Sequence, residues 1–306
     1  MVAVAVAAGC SSSPSGATTD SHFTVSTPPA ASVGPAQSTT VGMTFPIDAY
    51  RATAAESLAI NNSVQVLTGK CSSGFGVAYP VSLQASAMPE DNSRYYGVID
   101  KTIAEQYGYE APADASGTAS GRSGPQGAAL TPDELTVITG WPDGHIGNFN
   151  HPPTTLTYAG KKIPAGGCVA YGGKEIGLVS NENPQDPTDV MNIVHAGGNL
   201  AQADPRVEKA FAAWSACMSV QGYAYKSPWD PQDKDWPSPT TSEEINTAVA
   251  DVTCKQHVNL VAIWYAVEVA YEKTLIQQNI TALTEEKQHI DQVAAKAAQV
   301  LASGGN

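Results

Sequence analysis

Cys71-Ser-Ser-Gly-Phe-Gly76-Val-Ala-Tyr79-Pro80 and Cys217-Met-Ser-Val-Gln-Gly222-Tyr-Ala-Tyr225-Lys-Ser-Pro228 are two copies of one pattern in this 306-residue chain. In each copy a cysteine is followed by four residues, a glycine, one further residue and Ala-Tyr, and a proline comes soon after. The glycine predicts a helix that ends in a left-handed cap, and the Ala-Tyr predicts an extended segment that leaves it. The pattern therefore predicts two related helical units, with chance similarity of two helix ends as the alternative.

The five cysteines predict two disulfide bonds. Cys10 lies in the N-terminal segment and is considered separately below. The other four cysteines are an even number, which is typical of disulfides in an exported protein. Four cysteines allow three pairings. Because one further cysteine follows each copy of the pattern, the repeat favours Cys71–Cys168 and Cys217–Cys254. The wide spacing excludes a redox Cys-x-x-Cys site.

The N-terminus is typical of a bacterial lipoprotein signal peptide. Residues 1–10 form a short apolar segment in which the small residues Ala8 and Gly9 directly precede Cys10. We expect Cys10 to carry lipid, palmitate included, and to hold a secreted protein at the extracytoplasmic face of the cell membrane. The apolar run is far shorter than the roughly 20 residues that span a bilayer. A chance cysteine after an apolar segment is the alternative.

Residues 11–42 consist mainly of Ser, Thr, Pro, Ala and Gly. Such a segment buries too little apolar surface to offset its ordering entropy, so we expect a disordered tether. As a coil it would hold the folded part roughly 30 Å from the membrane.

The charge balance disfavours several classes of partner. The net charge is −13, with 16 Lys and Arg against 29 Asp and Glu. This disfavours nucleic acid and an electrostatic attachment to an anionic membrane, so the lipid alone is expected to hold the chain at the membrane. The length beyond the tether is enough for real hydrophobic cores, and the repeat divides it into a first helical unit, 43–203, and a second, 204–306.

Apolar periodicity and capping residues predict a mainly α-helical, disulfide-stapled fold. Helices are expected over 47–73, over about 99–107, from Thr131 to Gly140, after Cys168, and after the capping residues Asp186 and Asp204. Residues 155–158 and 161–163 flank Ala159-Gly160 and predict a small β-hairpin, and residues 111–130 predict a loop.

The last part of the chain predicts a long C-terminal helix. Residues 240–303 contain neither Gly nor Pro, which corresponds to about 90 Å of helix if unbroken. A stripe of apolar residues runs from Ile276 to Leu301, with Lys287 as a polar interruption. This amphipathic half is expected either to pack on its own domain or to bind a partner helix.

No pattern in the chain predicts a catalytic residue, a cofactor or a metal site. Gly-x-Ser-x-Gly, Walker, dinucleotide-binding and His-Glu-x-x-His patterns are absent. Residues 143–151, with two histidines, and residues 181–189, with four Asn and Asp side chains, could offer metal ligands, but polar loops explain both better. His257 and Glu268 share a helix face, and we expect both to be structural.

Trp229 and Trp236 are the candidate partner-binding residues. They lie seven residues apart in a Pro- and Asp-rich crossover between helices, and Trp is enriched at protein interfaces. The alternative is that both rings pack on the helices beneath and staple the loop to the fold.

The chain resembles a family of secreted lipoproteins from Streptomyces-type actinobacteria. The similarity covers most of residues 47–280 and is carried by Lys70–Pro80, Tyr95–Asp100, Leu135–Gly140, Tyr158–Cys168, Trp214–Pro228 and Asp251–Lys255. Ser72 departs from the family pattern, in which methionine follows the cysteine. The resemblance implies a helical, extracytoplasmic architecture and supplies no catalytic residues.

These observations favour a non-enzymatic binding or accessory role at the cell envelope, with an envelope or export protein as partner. One alternative is a cell-wall-acting hydrolase that uses carboxylates the sequence does not identify. Another is a solute-binding lipoprotein of a transporter, which is disfavoured because the βαβ alternation of such proteins is absent.

Overall fold

A computed structural model describes residues 23–40, 42–86, 95–110, 130–145, 152–178 and 190–304. Cys10, Asp186 and nearly all of the predicted loop 111–130 lie outside these residues. The described chain is mainly helical, with a small antiparallel hairpin, two disulfides and a long C-terminal helix. The predicted fold class is therefore confirmed. Among the helices of the described residues, none is long and apolar enough to cross a membrane.

Ten α-helices lie within the described residues: α1 Ala54–Ser73, α2 Lys101–Tyr107, α3 Pro132–Thr139, α4 Gly167–Ile176, α5 Val190–Gln202, α6 Pro205–Val220, α7 Trp229–Gln232, α8 Ser242–His257, α9 Leu260–Gln278 and α10 Ile280–Ala302. Two short 3-10 helices, Pro46–Tyr50 and Pro142–Gly144, accompany them. The predicted hairpin is present and short: β1 Thr157–Tyr158 pairs with β2 Lys161–Lys162.

Side-chain caps start α1 and α3, and the sequence predicts the second of these caps. Thr53 with Glu56, and Thr131 with Glu134, form capping boxes at the N-termini of α1 and α3. Each box satisfies two backbone N–H groups that have no partner inside the helix. The predicted helix 47–73 is split, because Thr53 starts a new helix inside it.

The two copies of the cysteine pattern have the same backbone geometry. Gly76 and Gly222 have φ angles of 77° and 92°, which other residues rarely adopt. In both copies the glycine N–H and the next N–H donate to carbonyls at the helix end, at 2.9–3.1 Å. This is the Schellman cap, and it confirms the predicted left-handed helix ends.

Both predicted disulfides are present. Cys71 of α1 is bonded to Cys168 of α4, with their Cα atoms 5.5 Å apart. Cys217 of α6 is bonded to Cys254 of α8, with their Cα atoms 5.7 Å apart. Each disulfide therefore joins a helix that ends in the pattern to a later helix.

The run 240–303 folds as three helices rather than one. Asn259, with φ 57° and ψ 33°, separates α8 from α9, because asparagine tolerates this left-handed conformation better than most residues. Asn279 ends α9, and its side-chain amide donates to the carbonyl of Leu275 at 2.8 Å. The continuous rod of about 90 Å therefore does not form, and the long C-terminal helix is α10.

Helix α10 packs back on its own chain. Val293 and Ala297 are buried in one cluster with Leu67 of α1. Lys287, the polar interruption of the stripe, lies 3.6 Å from the carboxylate of Glu56 in α1. Lys287 is thus part of the contact between α10 and α1. Of the two alternatives for this helix, packing on its own domain is the one that the structure shows.

The two predicted units share one hydrophobic core. Its main cluster combines Ile47 and Tyr96 from the first unit with Trp264 and Leu275 from the second. Helix α9 packs against both α5 and α6. The boundary predicted between residues 203 and 204 therefore does not separate two cores, and α9 is the central helix of the molecule.

The prediction of a disordered tether does not hold for residues 23–40. This segment, which we call the strap, runs over the helical body with Phe23, Val25 and Ala31 packed against the main cluster. Thr24 and Ser26, between them, are exposed, as in an extended segment with one buried face. These apolar contacts offset the entropy of ordering the strap. Residues 11–22 of the predicted tether lie outside the described residues.

Candidate functional site

An open groove of about 310 Å³ lies between the strap and helix α9. Residues of the strap form one wall, and one face of α9 forms the other. Strap residues Ala31 and Gln37 line it opposite Ala266, Val269 and Lys273 of α9. The volume is at the lower end of the range for small-molecule pockets.

Side chains of the helical body hold the strap through its backbone carbonyls. The Arg206 Nη1 donates to the carbonyl of Pro29 at 2.9 Å. The Asn259 Nδ2 donates to the carbonyl of Gly34 at 3.2 Å. The left-handed residue between α8 and α9 therefore also positions the wall of the groove.

Asp204 holds Arg206 in place. The guanidinium donates from Nε and Nη2 to the two carboxylate oxygens of Asp204, each at 2.7 Å. The same carboxylate caps α6, as predicted, and accepts the Tyr271 hydroxyl at 3.0 Å. These hydrogen bonds, that of Arg206 foremost, lower the pKa of Asp204 to about 2. The strap is therefore bound by Arg206, and the carboxylate that positions Arg206 is ionised at neutral pH.

The chemistry of the groove suits binding rather than acid–base catalysis. Ala262, Ala266 and Ala270 recur at every fourth residue of α9 and give the groove a shallow apolar floor. The Tyr265 hydroxyl is engaged, because it donates to the carbonyl of Thr44 at 2.6 Å. Lys273 is exposed at the edge. Among the described residues the lining includes no carboxylate and no imidazole.

A different face of α9 carries two fully buried carboxyl groups, Glu268 and Glu272, one helical turn apart. Both oxygens of Glu268 accept phenol hydroxyls, from Tyr95 at 2.5 Å and from Tyr96 at 2.8 Å. Burial raises the pKa of Glu268, and the two hydroxyl donors oppose the rise. Two donors satisfy the anionic form of this carboxyl group.

Glu272 has fewer partners than Glu268. Its Oε2 accepts the backbone N–H of Ile47 at 3.3 Å, and its Oε1 has no hydrogen-bond partner among the described residues. Burial foremost, and the charges of Glu268 and Asp48, raise the pKa of Glu272 to about 8, against the N–H of Ile47 and the charge of Arg51. The neutral acid is therefore the form that this site favours at neutral pH.

A second buried polar cluster joins α8 to α6 and to residues 95–110. Asp251 accepts the Lys255 ammonium at 2.9 Å, the Trp214 indole N–H at 2.8 Å and the Tyr109 hydroxyl at 3.3 Å. The ammonium also donates to the carbonyl of Val98 at 3.0 Å. Burial raises the pKa of Asp251, and its three donors oppose that rise. The cluster is closed to solvent and ties three parts of the chain together.

The predicted partner-binding residues Trp229 and Trp236 are both partly buried. The Trp229 ring packs edge-on against Trp264 of α9 at 5.5 Å, and its N–H donates to a glutamine of α5 at 3.2 Å. The Trp236 ring stacks on Tyr109 at 5.8 Å, and its N–H donates to a carbonyl of α7 at 2.8 Å. These contacts are the ones that the staple alternative requires. A partner-binding role for the exposed edges of the rings stays a prediction.

The polar segments considered as metal sites lie largely outside the described residues. His151 and all of residues 181–189 fall there. Among the described residues, no group of three or more His, Cys, Asp and Glu side chains is arranged to hold a metal ion.

Sequence reasoning missed Asp251 and Glu272 and assigned Glu268 only a structural role. Their partners Tyr109, Ile47 and Tyr95 lie more than 140 residues away in the chain, so no local pattern announces them. The signal that could have found them is spacing: Glu268 and Glu272, one turn apart, fall among the apolar buried residues of α9.

No protein-family model matches this chain, and neither a curated protein nor a solved structure shows significant similarity to it.

Proposed function

We propose that this chain is a lipid-anchored extracytoplasmic protein with a non-enzymatic binding or accessory role at the cell envelope. Two disulfides support export, because such bonds persist in oxidising compartments. The small residues before Cys10 support lipidation there. The partner that we propose is an envelope or export protein that contacts the groove between the strap and α9.

The observation that carries the binding role is the separation of the carboxyl groups from the groove. A hydrolase needs acid and base groups that reach the substrate, and glycoside hydrolases use a pair of carboxyl groups. The adjacent pair in this fold, Glu268 and Glu272, is fully buried. The groove that opens to solvent is lined instead by small apolar residues, with Tyr265 and Lys273 at its edge. This arrangement favours binding over the hydrolase alternative.

The anchoring part of the proposal is tested by cell fractionation. The full gene and a Cys10→Ala variant are expressed, and membrane and soluble fractions are compared. We expect the variant to leave the membrane fraction, because the acyl chains of the lipid on Cys10 supply the attachment. Equal membrane retention of both proteins would exclude the lipid anchor.

The binding part is tested by photo-crosslinking in intact cells. A photoreactive amino acid is placed at Val269 in the groove and, as the control, at Val220, which is 90 % exposed at the end of α6. We expect one envelope protein to be captured from Val269 and not from Val220. Lys273→Glu should weaken this capture, and Lys174→Glu, an exposed lysine on α4, should not.

Three outcomes would count against the protein-binding role. Equal capture from both positions would mean that the contact is unspecific. No capture from either would contradict a protein partner at the groove. A small molecule that copurifies with the chain and leaves after Lys273→Glu would support the solute-binding alternative.

A further inference from the structure

The buried pair Glu268 and Glu272 lies where four parts of the chain meet. The 3-10 helix Pro46–Tyr50 reaches it through the Ile47 N–H, and residues 95–97 reach it through two tyrosines. Helix α5 approaches with glycines: a Cβ at position 197 would lie 3.0 Å from the Cγ of Glu272, and one at position 198 would lie 3.4 Å from the Oε1 of Glu268. The backbone of α5 therefore packs closely against Glu272 at Gly197, and less tightly against Glu268 at Gly198.

The hydrogen bonds assign different protonation states to the two carboxyl groups. Glu268 accepts two hydroxyls, which satisfy an anion, whereas Glu272 accepts one N–H and keeps its Oε1 without a partner. Two carboxylates one turn apart repel each other when both are ionised and buried. The geometry therefore favours an ionised Glu268 and a protonated Glu272.

The surrounding charges do not reverse this assignment. The 3-10 helix contributes Asp48 and Arg51, whose charges oppose each other at Glu272. The tyrosines of residues 95 and 96 stay neutral, because burial raises the pKa of each. On α9, Tyr265 is likewise held neutral. On α5, His195 is exposed and the residues that meet the pair are glycines.

We propose that Glu272 is a proton-dependent latch: its neutral form closes the 3-10 helix and α5 onto α9, and its ionisation loosens both. The ionised group needs water or a new donor for Oε1, and Glu272 is fully buried in the closed fold. The proposal is independent of the lipid anchor and of the groove.

The sign of the effect follows from the pKa of Glu272. This pKa is about 8 in the folded protein, against 4.5 for an unperturbed glutamate. The stabilisation by the neutral form is therefore complete below about pH 4.5 and is lost as the pH rises through about 8. Between these values each pH unit changes the opening equilibrium about tenfold.

The test is native-state amide exchange on the full chain, corrected for the intrinsic pH dependence of exchange. For residues 46–50 and 190–202 we expect the opening constant to rise more than tenfold from pH 6 to pH 8. In Glu272→Gln, which keeps the shape and cannot ionise, this rise should disappear. Glu208→Gln on the exposed face of α6 is the matched control and should behave as the unmodified protein does.

A second measurement starts from the unmodified chain. Carbon-13 NMR of the Glu272 carboxyl in the unmodified chain should show a midpoint far above that of an exposed glutamate, and Glu268→Gln should lower it, because the repulsion is removed. An equal rise of the opening constant in Glu272→Gln, or a Glu272 midpoint near the ordinary value, would overturn the proposal.

Discussion

Among the completely buried carboxyl groups of the described residues, Asp251, Glu268 and Glu272 are each stabilised in a different way. Asp251 is paired with an ammonium group and two further donors, Glu268 accepts two phenols, and Glu272 accepts a single N–H. Burying an unpaired charge costs several kcal/mol, whereas a neutral acid costs far less. The number of donors around each group therefore decides which one keeps its charge.

The Asp251–Lys255 pair should matter far more for stability than an exposed pair of the same spacing. Asp251→Ala leaves a buried ammonium and two donors without their acceptor, so we expect a loss of about 3–5 kcal/mol in the free energy of unfolding. Urea denaturation measures it. The matched control is Glu105→Ala, which removes the partner of Lys101 at 3.9 Å on the surface and should cost under about 1 kcal/mol.

The double variant Asp251→Ala with Lys255→Met identifies the cause. If the uncompensated ammonium is responsible, the double variant should be less destabilised than the sum of the two single variants, by about 2 kcal/mol. Additive losses would show that the pair is not coupled.

Among the elements, those with local signals could be predicted and those fixed by distant contacts could not. A capping box predicts the start of α3, and the cysteine pattern predicts two helix ends and both disulfides. The break at Asn259 has no Gly or Pro to mark it. The sequence predicts a tether where the strap lies, because the few apolar residues of the strap gain a partner surface only once α9 is in place.

The crossover with α7 should be held to the fold by its two tryptophans. Trp229→Ala and Trp236→Ala each remove a partly buried ring and an indole hydrogen bond, and we expect about 3 kcal/mol of destabilisation for each. Tyr171→Ala on α4, where the ring is 37 % exposed, should cost less than about 1 kcal/mol. Thermal melting of the three variants gives the comparison.

The recognition alternative predicts the opposite result. In that case the double tryptophan variant would keep its melting temperature and lose its envelope partner in the crosslinking experiment. An unchanged melt with unchanged partners would exclude both roles for the crossover.

For the whole molecule, two opposing pKa shifts predict a stability maximum at mildly acidic pH. The pKa of Asp204 is lowered to about 2 from 3.8, so its contribution is present above about pH 4 and is lost as the pH falls toward 2. The pKa of Glu272 is raised to about 8, so its contribution is lost as the pH rises from about 4.5 through 8. Both contributions are complete only near pH 4–5.

A melting profile from pH 2 to pH 9 checks this prediction. Between pH 5 and pH 9 we expect a loss on the order of 4 kcal/mol, from the size of the Glu272 shift. Asp204→Asn should reduce the fall in melting temperature on the acid side of the profile alone. Glu272→Gln should reduce the fall on the alkaline side alone. A maximum at pH 7 or above would contradict the raised pKa of Glu272.

The docked strap has a consequence for how far the protein could search for a partner. If Cys10 is the point of attachment, Phe23 follows it after 13 steps along the chain, whereas Met43 would follow it after 33 steps if the whole predicted tether were free. The maximum span then falls from roughly 115 Å to roughly 45 Å. Because effective concentration scales with about the −3/2 power of linker length, the groove would meet a partner in the same membrane at about fourfold higher local concentration.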